Sequence, residues 1–261
     1  MMRTYLAEFW EHKDLTLSFA VRDIKARYKQ TALGAAWAVL QPFSLMVVFT
    51  LVFSRFAQVP SDGVPYPIFS YAGLIFWTFF ATAVSQGTAA IVANSNLVRK
   101  IYFPRETLLV SIVLAAGLDL AIAGVIFGVM MGYYQIPVPV TVVWVPVLLA
   151  VQTLFALAVV CFTSAIHVTL RDIGHGIPLL LQLWMFATPV AYPLSVVPAR
   201  LLPIYQLNPM TPIIDGYRRV ILHGQPPDLP ALATATVITL VLLALGYVFF
   251  KRAEGTFADV I

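Results

Sequence analysis

Residues 108–134 read LLVSIVLAAGLDLAIAGVIFGVMMGYY, an apolar stretch in which Asp119 is the one charged residue. A helix rises 1.5 Å per residue, so roughly 20 apolar residues cross the ~30 Å hydrocarbon core of a bilayer. This stretch is long enough to do so and predicts a transmembrane helix. It also carries Gly124, Gly128 and Gly132, four residues apart, a small-residue stripe that favours tight packing against another helix.

Apolar stretches of this kind recur along the chain. The six predicted spans are Leu33–Phe53, Ile68–Val92, Leu108–Tyr134, Val140–Val168, Ile177–Val197 and Ala231–Phe250. The 261 residues are 60% hydrophobic and 11% charged, whereas soluble domains average about 45–50% and 25%. A soluble fold of this composition would lack the polar residues to cover its surface. The sequence therefore predicts an all-α integral membrane protein.

The predicted organisation is one transmembrane domain over residues 1–261. It consists of an N-terminal segment over 1–31, a six-span bundle over 33–250 and a tail over 251–261. Of the lysines and arginines, 12 flank one side of the spans; the opposite side has Arg55, Arg200, Arg218 and Arg219. Because basic residues favour the cytoplasm, both termini are predicted to be cytoplasmic. Orientation also accounts for the positive net charge, so no nucleic-acid partner is predicted.

The segment before the first span has the pattern of an amphipathic helix. Four apolar residues fall on one face, and three basic residues lie on the others: Leu17, Val21, Ile24 and Tyr28, then Arg22, Lys25 and Lys29. Such a helix is expected to lie in the cytoplasmic headgroup layer, where anionic lipid attracts its basic residues. A helix packed on the cytoplasmic side is the alternative.

A proline-rich stretch, Pro198–Pro230, separates the last two predicted spans. Thr211-Pro212 is a good helix start and Gly224 a good end. The apolar face would carry Ile213, Ile214, Tyr217, Val220 and Ile221, and the polar face would carry Asp215, Arg218 and Arg219. Asp215 is spaced to pair with either arginine. The pattern predicts a short re-entrant or interfacial helix on the outer side.

Catalytic motifs are not found in the sequence. It has no GxxxxGK[ST] phosphate loop, no HExxH and no pair of cysteines, so neither nucleotide hydrolysis, a metal site nor a catalytic site is predicted. Asp119 is the one acid deep in a span, and it needs a partner or water there. No other predicted span offers a basic partner near its middle. A pore or coupling role and a hydrogen bond to a neighbouring helix both remain open.

Two cytoplasmic loops favour a partner surface. In Asn94–Glu106, the stretch LVRKIYF before Pro104 contains both apolar and basic residues. A short helix that exposes both kinds of residue suits contact with another protein. The tighter loop at Arg171–Gly174 is the second candidate. Aromatic residues, 13% of the chain, also concentrate inside the spans, where they suit either helix packing or a path for sugar rings.

Several short motifs follow one another along nearly the whole chain. They are Arg27-Tyr28, Leu33 to Pro42 (LGAAWAVLQP), Gly73 to Trp77 (GLIFW), Leu170 to Ile173 (LRDI), Thr188 to Tyr192 (TPVAY) and Asn208 to Met210 (NPM). In this order they resemble the membrane subunits of ABC-2 type exporters of polysaccharides and polyol phosphates. The likeness is strongest to the O-antigen permease subunits.

The resemblance implies a homodimer joined to two copies of a separate ATPase, which binds ATP and magnesium; no cofactor is implied on this chain. It implies a channel near the dimer interface, with candidate glycan contacts at Trp37, Phe43, Phe49, Trp77, Trp184, Phe186 and Tyr192. The N-terminal helix would be a gate, with Arg22, Lys25 and Tyr28. Coupling to the ATPase would use Asn96, Leu97, Arg99, Lys100, Tyr102, Phe103, Arg171 and Asp172. Asn208, Pro209, Asp215, Tyr217 and Arg218 would lie in a periplasmic re-entrant segment.

The resulting hypothesis is the permease half of an ATP-driven exporter of undecaprenyl-linked O-antigen-type polysaccharide in the bacterial inner membrane. Capsule, teichoic acid, lipid or drug export by the same kind of permease is the alternative. A secondary carrier would need intramembrane charge pairs or an inverted repeat, and the sequence offers one lone aspartate and no clear repeat. A membrane-embedded enzyme is weaker still.

Overall fold

The computed structural model describes residues 13–29 and 34–257, a part of the chain that is helical and contains no β-strand. Residues 1–12 and 30–31 of the predicted N-terminal segment, residue 32, Leu33 of the first predicted span and residues 258–261 of the tail lie outside it. Within the described residues the α-helices are α1 (Lys13–Lys29), α2 (Trp37–Phe49), α3 (Tyr66–Ala93), α4 (Ser95–Lys100), α5 (Glu106–Tyr133), α6 (Val145–Thr169), α7 (Ile173–Ala187), α8 (Leu202–Gln206), α9 (Met210–Ile221) and α10 (Leu229–Glu254).

Five helical segments in the described residues are long and apolar enough to cross a membrane. They are Trp37–Phe56, Tyr66–Ala93, Glu106–Tyr133, Val140–Thr169 and Leu229–Glu254. The first joins α2 to a π-helical turn at Thr50–Phe56, and the fourth joins a 3₁₀ turn at Val140–Trp144 to α6. Each corresponds to a predicted span with shifted ends, so the multi-pass helical architecture is confirmed.

The predicted fifth span, Ile177–Val197, is wrong as one continuous helix. Its helix, α7, has 15 residues and stops at Ala187, which gives a length of about 22 Å. Thr188 is extended, with φ −107° and ψ 142°. It precedes Pro189, and a residue before proline is displaced from the helical region by steric clash. The apolar residues that follow form turns and a 3₁₀ helix at Leu194–Val196.

Helix α3 is the centre of the bundle, because α2, α5, α6, α7 and α9 all pack against it. The Tyr71 hydroxyl donates to the Ala123 carbonyl on α5 at 3.3 Å, and Thr88 donates to Thr163 on α6 at 2.7 Å. A Cβ on Gly87 would lie 2.7 Å from the Val160 side chain. Helices α3 and α6 therefore approach at a position where only glycine fits.

The glycine stripe of α5 is used differently from the sequence prediction. A Cβ built on Gly124, Gly128 or Gly132 would meet no described atom within 4 Å. Val125 and Val129, on the same helix, are 67% and 65% exposed. Within the described residues the stripe therefore faces outward and packs against no helix of this chain.

Candidate substrate path and coupling surfaces

The predicted channel aromatics divide into exposed and buried rings. Trp37 and Phe43 on α2 and Phe186 on α7 are 54%, 40% and 47% exposed. Phe49 and Trp77 are buried. The structure therefore gives Phe49 and Trp77 a packing role. Contact of these two rings with a glycan, which the resemblance implies, stays a prediction.

Trp184 and Tyr192 lie between these two groups, since both are partly exposed. The Trp184 ring packs edge-on against Trp77, Phe80 and Phe155, with ring centroids 6.3, 5.4 and 5.9 Å away. Tyr192 donates its hydroxyl to the Phe186 carbonyl at 2.9 Å and lies 3.1 Å from the Tyr205 hydroxyl. Both side chains are anchored at the edge of the bundle, with one side left open.

Helices α2 and α7 both pack on α3. The Phe49 and Phe186 rings link the two helices, with centroids 6.3 Å apart. Their outer faces are apolar and exposed, through Leu40, Phe43, Val47, Val48, Leu51 and Val52 on the first segment and Leu179, Leu180, Leu183 and Phe186 on α7. Exposed apolar faces of this kind suit lipid or another protein chain.

The gate-helix candidate α1 runs along α5 in the same direction. Phe19 contacts Phe103 just before α5, and Asp23 accepts a hydrogen bond from Ser111 at 3.3 Å. Arg27 and Asp119 pair further along. The successive contacts advance together, so α1 follows the first half of α5.

The predicted apolar face of α1 packs only in its second half, where Tyr28 lies against α5. Leu17 and Val21 are 56% and 48% exposed, whereas Thr16 and Ala20 are buried. Lys25 is exposed as well. The outward apolar face is what an interfacial helix requires, and the headgroup position of α1 stays a prediction.

Asp119 has a basic partner, which comes from α1 and not from a span. Its carboxylate accepts hydrogen bonds from the Arg27 guanidinium and the Tyr28 hydroxyl, and Arg27 also donates to Gln86 on α3. Burial and, to a smaller extent, the hydrogen bond to Asp119 raise the pKa of Tyr28 to about 12. Tyr28 therefore stays protonated at neutral pH and acts as a donor. The hydrogen-bond alternative for Asp119 is met, with α1 as the neighbouring helix.

The coupling candidates of the second loop form a short helix with two sides. Helix α4 begins after Asn94, and Leu97 and Phe103 are turned toward the bundle. Asn96, Arg99 and Lys100 are exposed, and Tyr102 is 89% exposed. In the fourth loop, Arg171 and Asp172 are also exposed, immediately before α7. The apolar-basic surface predicted for the second loop is present.

A hydrogen bond links this loop to the gate-helix candidate. Asn94 accepts from Arg22 at 2.9 Å and donates from its amide to the Ala90 carbonyl at 2.8 Å. Arg22 also pairs with Asp23 at 2.8 Å. The sequence showed no such link, because the residues are 72 positions apart and each is a common surface residue.

The outer segment is more deeply buried than an interfacial helix. Asn208 accepts from the Met210 amide at 3.2 Å, and donates to the Thr188 hydroxyl at 2.9 Å. Helix α9 begins at Met210, directly after Pro209, so Thr211 lies inside it and is not its N-cap as predicted. Tyr217 stacks on Phe76 and donates to Gln152 at 3.0 Å. Helix α9 is thus part of the bundle core.

Arg218 was expected on a polar outer face, and this was wrong. It is 3% exposed, and its guanidinium donates to the carbonyls of Pro189 at 2.6 Å, Tyr192 at 3.3 Å and Val190. The four ion pairs found among the described residues do not include Asp215. Asp215 therefore does not form the predicted pair with Arg218 or Arg219.

The burial of Arg218 has two visible consequences. Desolvation lowers its pKa to about 10, so the guanidinium still carries its charge at pH 7. A Cβ on Gly73 would lie 2.5 Å from the guanidinium and 2.8 Å from the Val190 carbonyl. Gly73 therefore makes room for the arginine and for the chain that leaves α7.

Membrane-length helices around a buried centre, with basic and apolar surfaces on the connecting loops, define a multi-pass α-helical membrane protein. The profile of the ABC-2 type transporter family matches residues 15–222. The chain belongs to this family. The residues matched run from α1 to the end of α9, and so include the gate-helix, coupling and outer-segment candidates.

Individual relatives agree with the family match over nearly full length. An O-antigen export system permease protein of Myxococcus xanthus is 35% identical, over 95% of both chains. A Klebsiella pneumoniae O-antigen export system permease protein is 24% identical over 95% of both chains. A polysialic acid transport protein of Escherichia coli is 21% identical over 90% of this chain and 91% of its own.

Proposed function

We propose that the chain is the permease subunit of an ATP-driven exporter that moves lipid-linked, O-antigen-type polysaccharide across the bacterial inner membrane. The observation that carries this proposal is the 35% identity, over 95% of both chains, to an O-antigen export permease. Similarity over nearly the full length of both chains argues for the same kind of cargo, because the residues along a transport path come from many helices.

The permease works as a homodimer, with the channel between the two copies. The exposed apolar face of α2 and α7 supports this arrangement, since a second copy would cover it. Trp37, Phe43 and Phe186 lie on that face, and Trp184 and Tyr192 lie at its edge. Aromatic faces stack on the apolar faces of sugar rings, so a glycan slides along them without a tight contact.

Two copies of a separate ABC ATPase supply the energy, with ATP and magnesium bound on those partners. Helix α4 and the Arg171–Asp172 loop are the docking surfaces, because they expose basic and apolar side chains together. A push on α4 reaches α1 through Asn94 and Arg22. It reaches α5 through the chain segment that contains Phe103.

Both termini are cytoplasmic in this proposal, and the segment with α8 and α9 lies toward the periplasm. The lysine and arginine distribution supports the orientation. Undecaprenyl is the lipid carrier of the cargo. The hydrogen bonds from Arg218 to the Pro189 and Tyr192 carbonyls then hold the periplasmic end of α7, where the exported glycan leaves the membrane.

Reconstitution tests the proposal. The chain, purified with its cognate ATPase, is expected as a two-to-two complex that moves lipid-linked glycan across vesicle membranes when ATP is added. An ATPase partner unable to hydrolyse ATP is the matched control, and it should bind the permease without transport. Ion-gradient-driven transport without the ATPase, or no transport by the intact complex, would contradict the proposal.

Capsule polysaccharide is a second candidate cargo, because a polysialic acid transport protein is similar over 90% of the chain. The same vesicles distinguish the two cargoes when they are loaded in turn with O-antigen-type and acidic capsule-type lipid-linked glycans. Preference for the acidic glycan would replace the first cargo with the second.

A further inference from the structure

A cavity of about 240 Å³ lies where α1, α2, α3 and α5 meet. Its size is below the ~300–1,000 Å³ typical of sites for drug-sized ligands, so it admits a single ring and not a polymer. Its polar lining comes from Arg27, Tyr28, Gln41, Thr78, Thr82, Gln86 and Asp119, and its aromatic lining from Trp37 and Phe79.

Several polar groups in this cavity have no protein partner. Within the described part of the chain, the side chains of Gln41, Thr78 and Thr82 make no hydrogen bond, and the Gln86 amide makes one, as acceptor from Arg27. Thr78 and Thr82 are one helical turn apart on α3, and Gln41 faces them from α2. Polar groups at membrane depth need water or a ligand with hydroxyl groups.

The charges in the cavity select against an anion. Arg27 is the one cation of the lining, and the Asp119 carboxylate already pairs with it. A phosphate placed here would gain the arginine and meet the carboxylate at the same time. An uncharged ligand is not repelled by the carboxylate and does not compete with it for the arginine. The hydroxyls of such a ligand match the free threonine and glutamine groups.

The aromatic lining adds the second property of a sugar site. Trp37 is 54% exposed and lies one helical turn before Gln41 on α2. An indole beside amide and hydroxyl groups offers an apolar face for the C–H side of a pyranose and hydrogen bonds for its rim. Water alone would not account for an exposed indole beside these polar groups, because water gains little from contact with an apolar ring.

We propose that this cavity binds one uncharged sugar residue of the lipid-linked substrate, with Trp37 against the ring and Gln41, Thr78, Thr82 and Gln86 on its hydroxyls. The inference rests on the proposed function and adds to it a site behind α2, which shares Trp37 with the α2–α7 face. The Arg27–Asp119 pair forms its wall, so the site is complete only while α1 is docked on α5.

Binding to the full permease–ATPase complex in nanodiscs tests the site. The probes are undecaprenyl diphosphate carrying one N-acetylglucosamine, and undecaprenyl diphosphate without sugar. The double substitution T78V/T82V keeps side-chain shape and removes both hydroxyls. It is expected to weaken binding of the sugar-bearing lipid about tenfold and to leave binding of the sugar-free lipid unchanged. T234V/T236V on α10 is the matched control and should change neither.

A second variant guards against a folding effect in α3. Gln41→Leu removes the amide from the opposite wall and should produce the same selective loss. Equal weakening for both lipids, or no weakening in either variant, overturns the sugar site. If wild-type complex transports glycan while the variants bind it normally, this inference alone fails. If wild-type complex neither binds nor transports it, the proposed function fails as well.

Discussion

Arg218 and Arg27 are both held inside the bundle, by opposite means. Arg218 is 3% exposed and donates to carbonyl oxygens of the chain that leaves α7. The Arg27 side chain is 22% exposed and pairs with a carboxylate on another helix. The first site joins segments whose backbone is fixed. The second joins α1 to α5 through side chains alone.

This difference teaches where the molecule is rigid and where it can move. Carbonyl dipoles converge on Arg218 only in one backbone arrangement, so its release requires that the outer part of the bundle be rebuilt. The Arg27–Asp119 pair separates when α1 shifts, and nearby polar groups and water can then solvate both charges. We therefore expect the outer segment to act as a fixed frame and α1 as the moving part.

The largest effect is expected at Arg218 and the carbonyls to which it donates. Arg218→Ala leaves the Pro189, Val190 and Tyr192 carbonyls without their donor, and hydrogen bonds to a charged group contribute about 1.5–3 kcal/mol each. The variant should lose most of its folded yield in detergent extracts, measured by size-exclusion chromatography and thermal unfolding. Arg218→Lys should recover part of it, because an ammonium keeps the charge without the planar fork.

Arg219→Ala is the matched control for this experiment. Arg219 is the next residue on α9, and its guanidinium donates to the Pro226 carbonyl at 3.1 Å in an exposed position. Its loss should change thermal stability by less than about 1 kcal/mol. Equal stability of the Arg218→Ala and Arg219→Ala variants would remove the distinction between frame and moving part.

Arg218 also shows why the sequence predicts the spans but not the buried position of this side chain. Apolar length alone predicted the five membrane-length helices, since it depends on each segment separately. Helical spacing places Arg218 beside Asp215 and opposite the apolar residues, and so predicts that it lies on a polar face of α9. Its burial depends on carbonyls freed where Thr188 and Pro189 end α7, and no local pattern contains that information.

Asp119 shows the same limit from the other direction. The sequence marks it as an acid that needs a partner, and no other predicted span has a basic residue near its middle. Arg27 lies 92 positions away on α1, whose amphipathic pattern predicts a place on the membrane surface. The glycine stripe of α5 gave a pattern without a contact, whereas Gly73 and Gly87, which have close neighbours, belong to no such stripe.

An intermediate effect is expected at the Arg27–Asp119 pair. Asp119→Ala leaves Arg27 unpaired in a half-buried position, and breaking a fully buried pair costs about 3–5 kcal/mol. The partial exposure reduces this to about 1–3 kcal/mol. We expect folded protein with ATP-dependent glycan transport reduced about tenfold or more, measured in vesicles beside the ATPase rate.

The reciprocal exchange separates pairing from packing. R27D/D119R restores opposite charges across the α1–α5 contact, and it should regain part of the transport that each single substitution loses. A double-mutant cycle gives the coupling directly. If the exchange is no better than the worse single variant, then the contact depends on side-chain shape, and α1 would not be held by charge.

The smallest effect is expected at Arg22, the most exposed member of this arginine series, with 44% of its side chain exposed. Arg22→Ala removes the hydrogen bond to Asn94 and should lower stability by about 1 kcal/mol or less. The expected change is in coupling, with two- to fivefold less glycan moved per ATP hydrolysed. Asn94→Ala should give the same ratio, because it removes the other side of the same bond.

Lys29→Ala is the control on the same helix, since Lys29 is exposed, is also basic and is not one of the gate candidates. It should leave the amount of glycan moved per ATP unchanged at fixed ionic strength. An equal loss in Lys29→Ala would mean that the positive charge of α1, and not its bond to the coupling loop, links hydrolysis to transport. The mobile end of the molecule would then be connected to the ATPase by α5 alone, through the segment that contains Phe103.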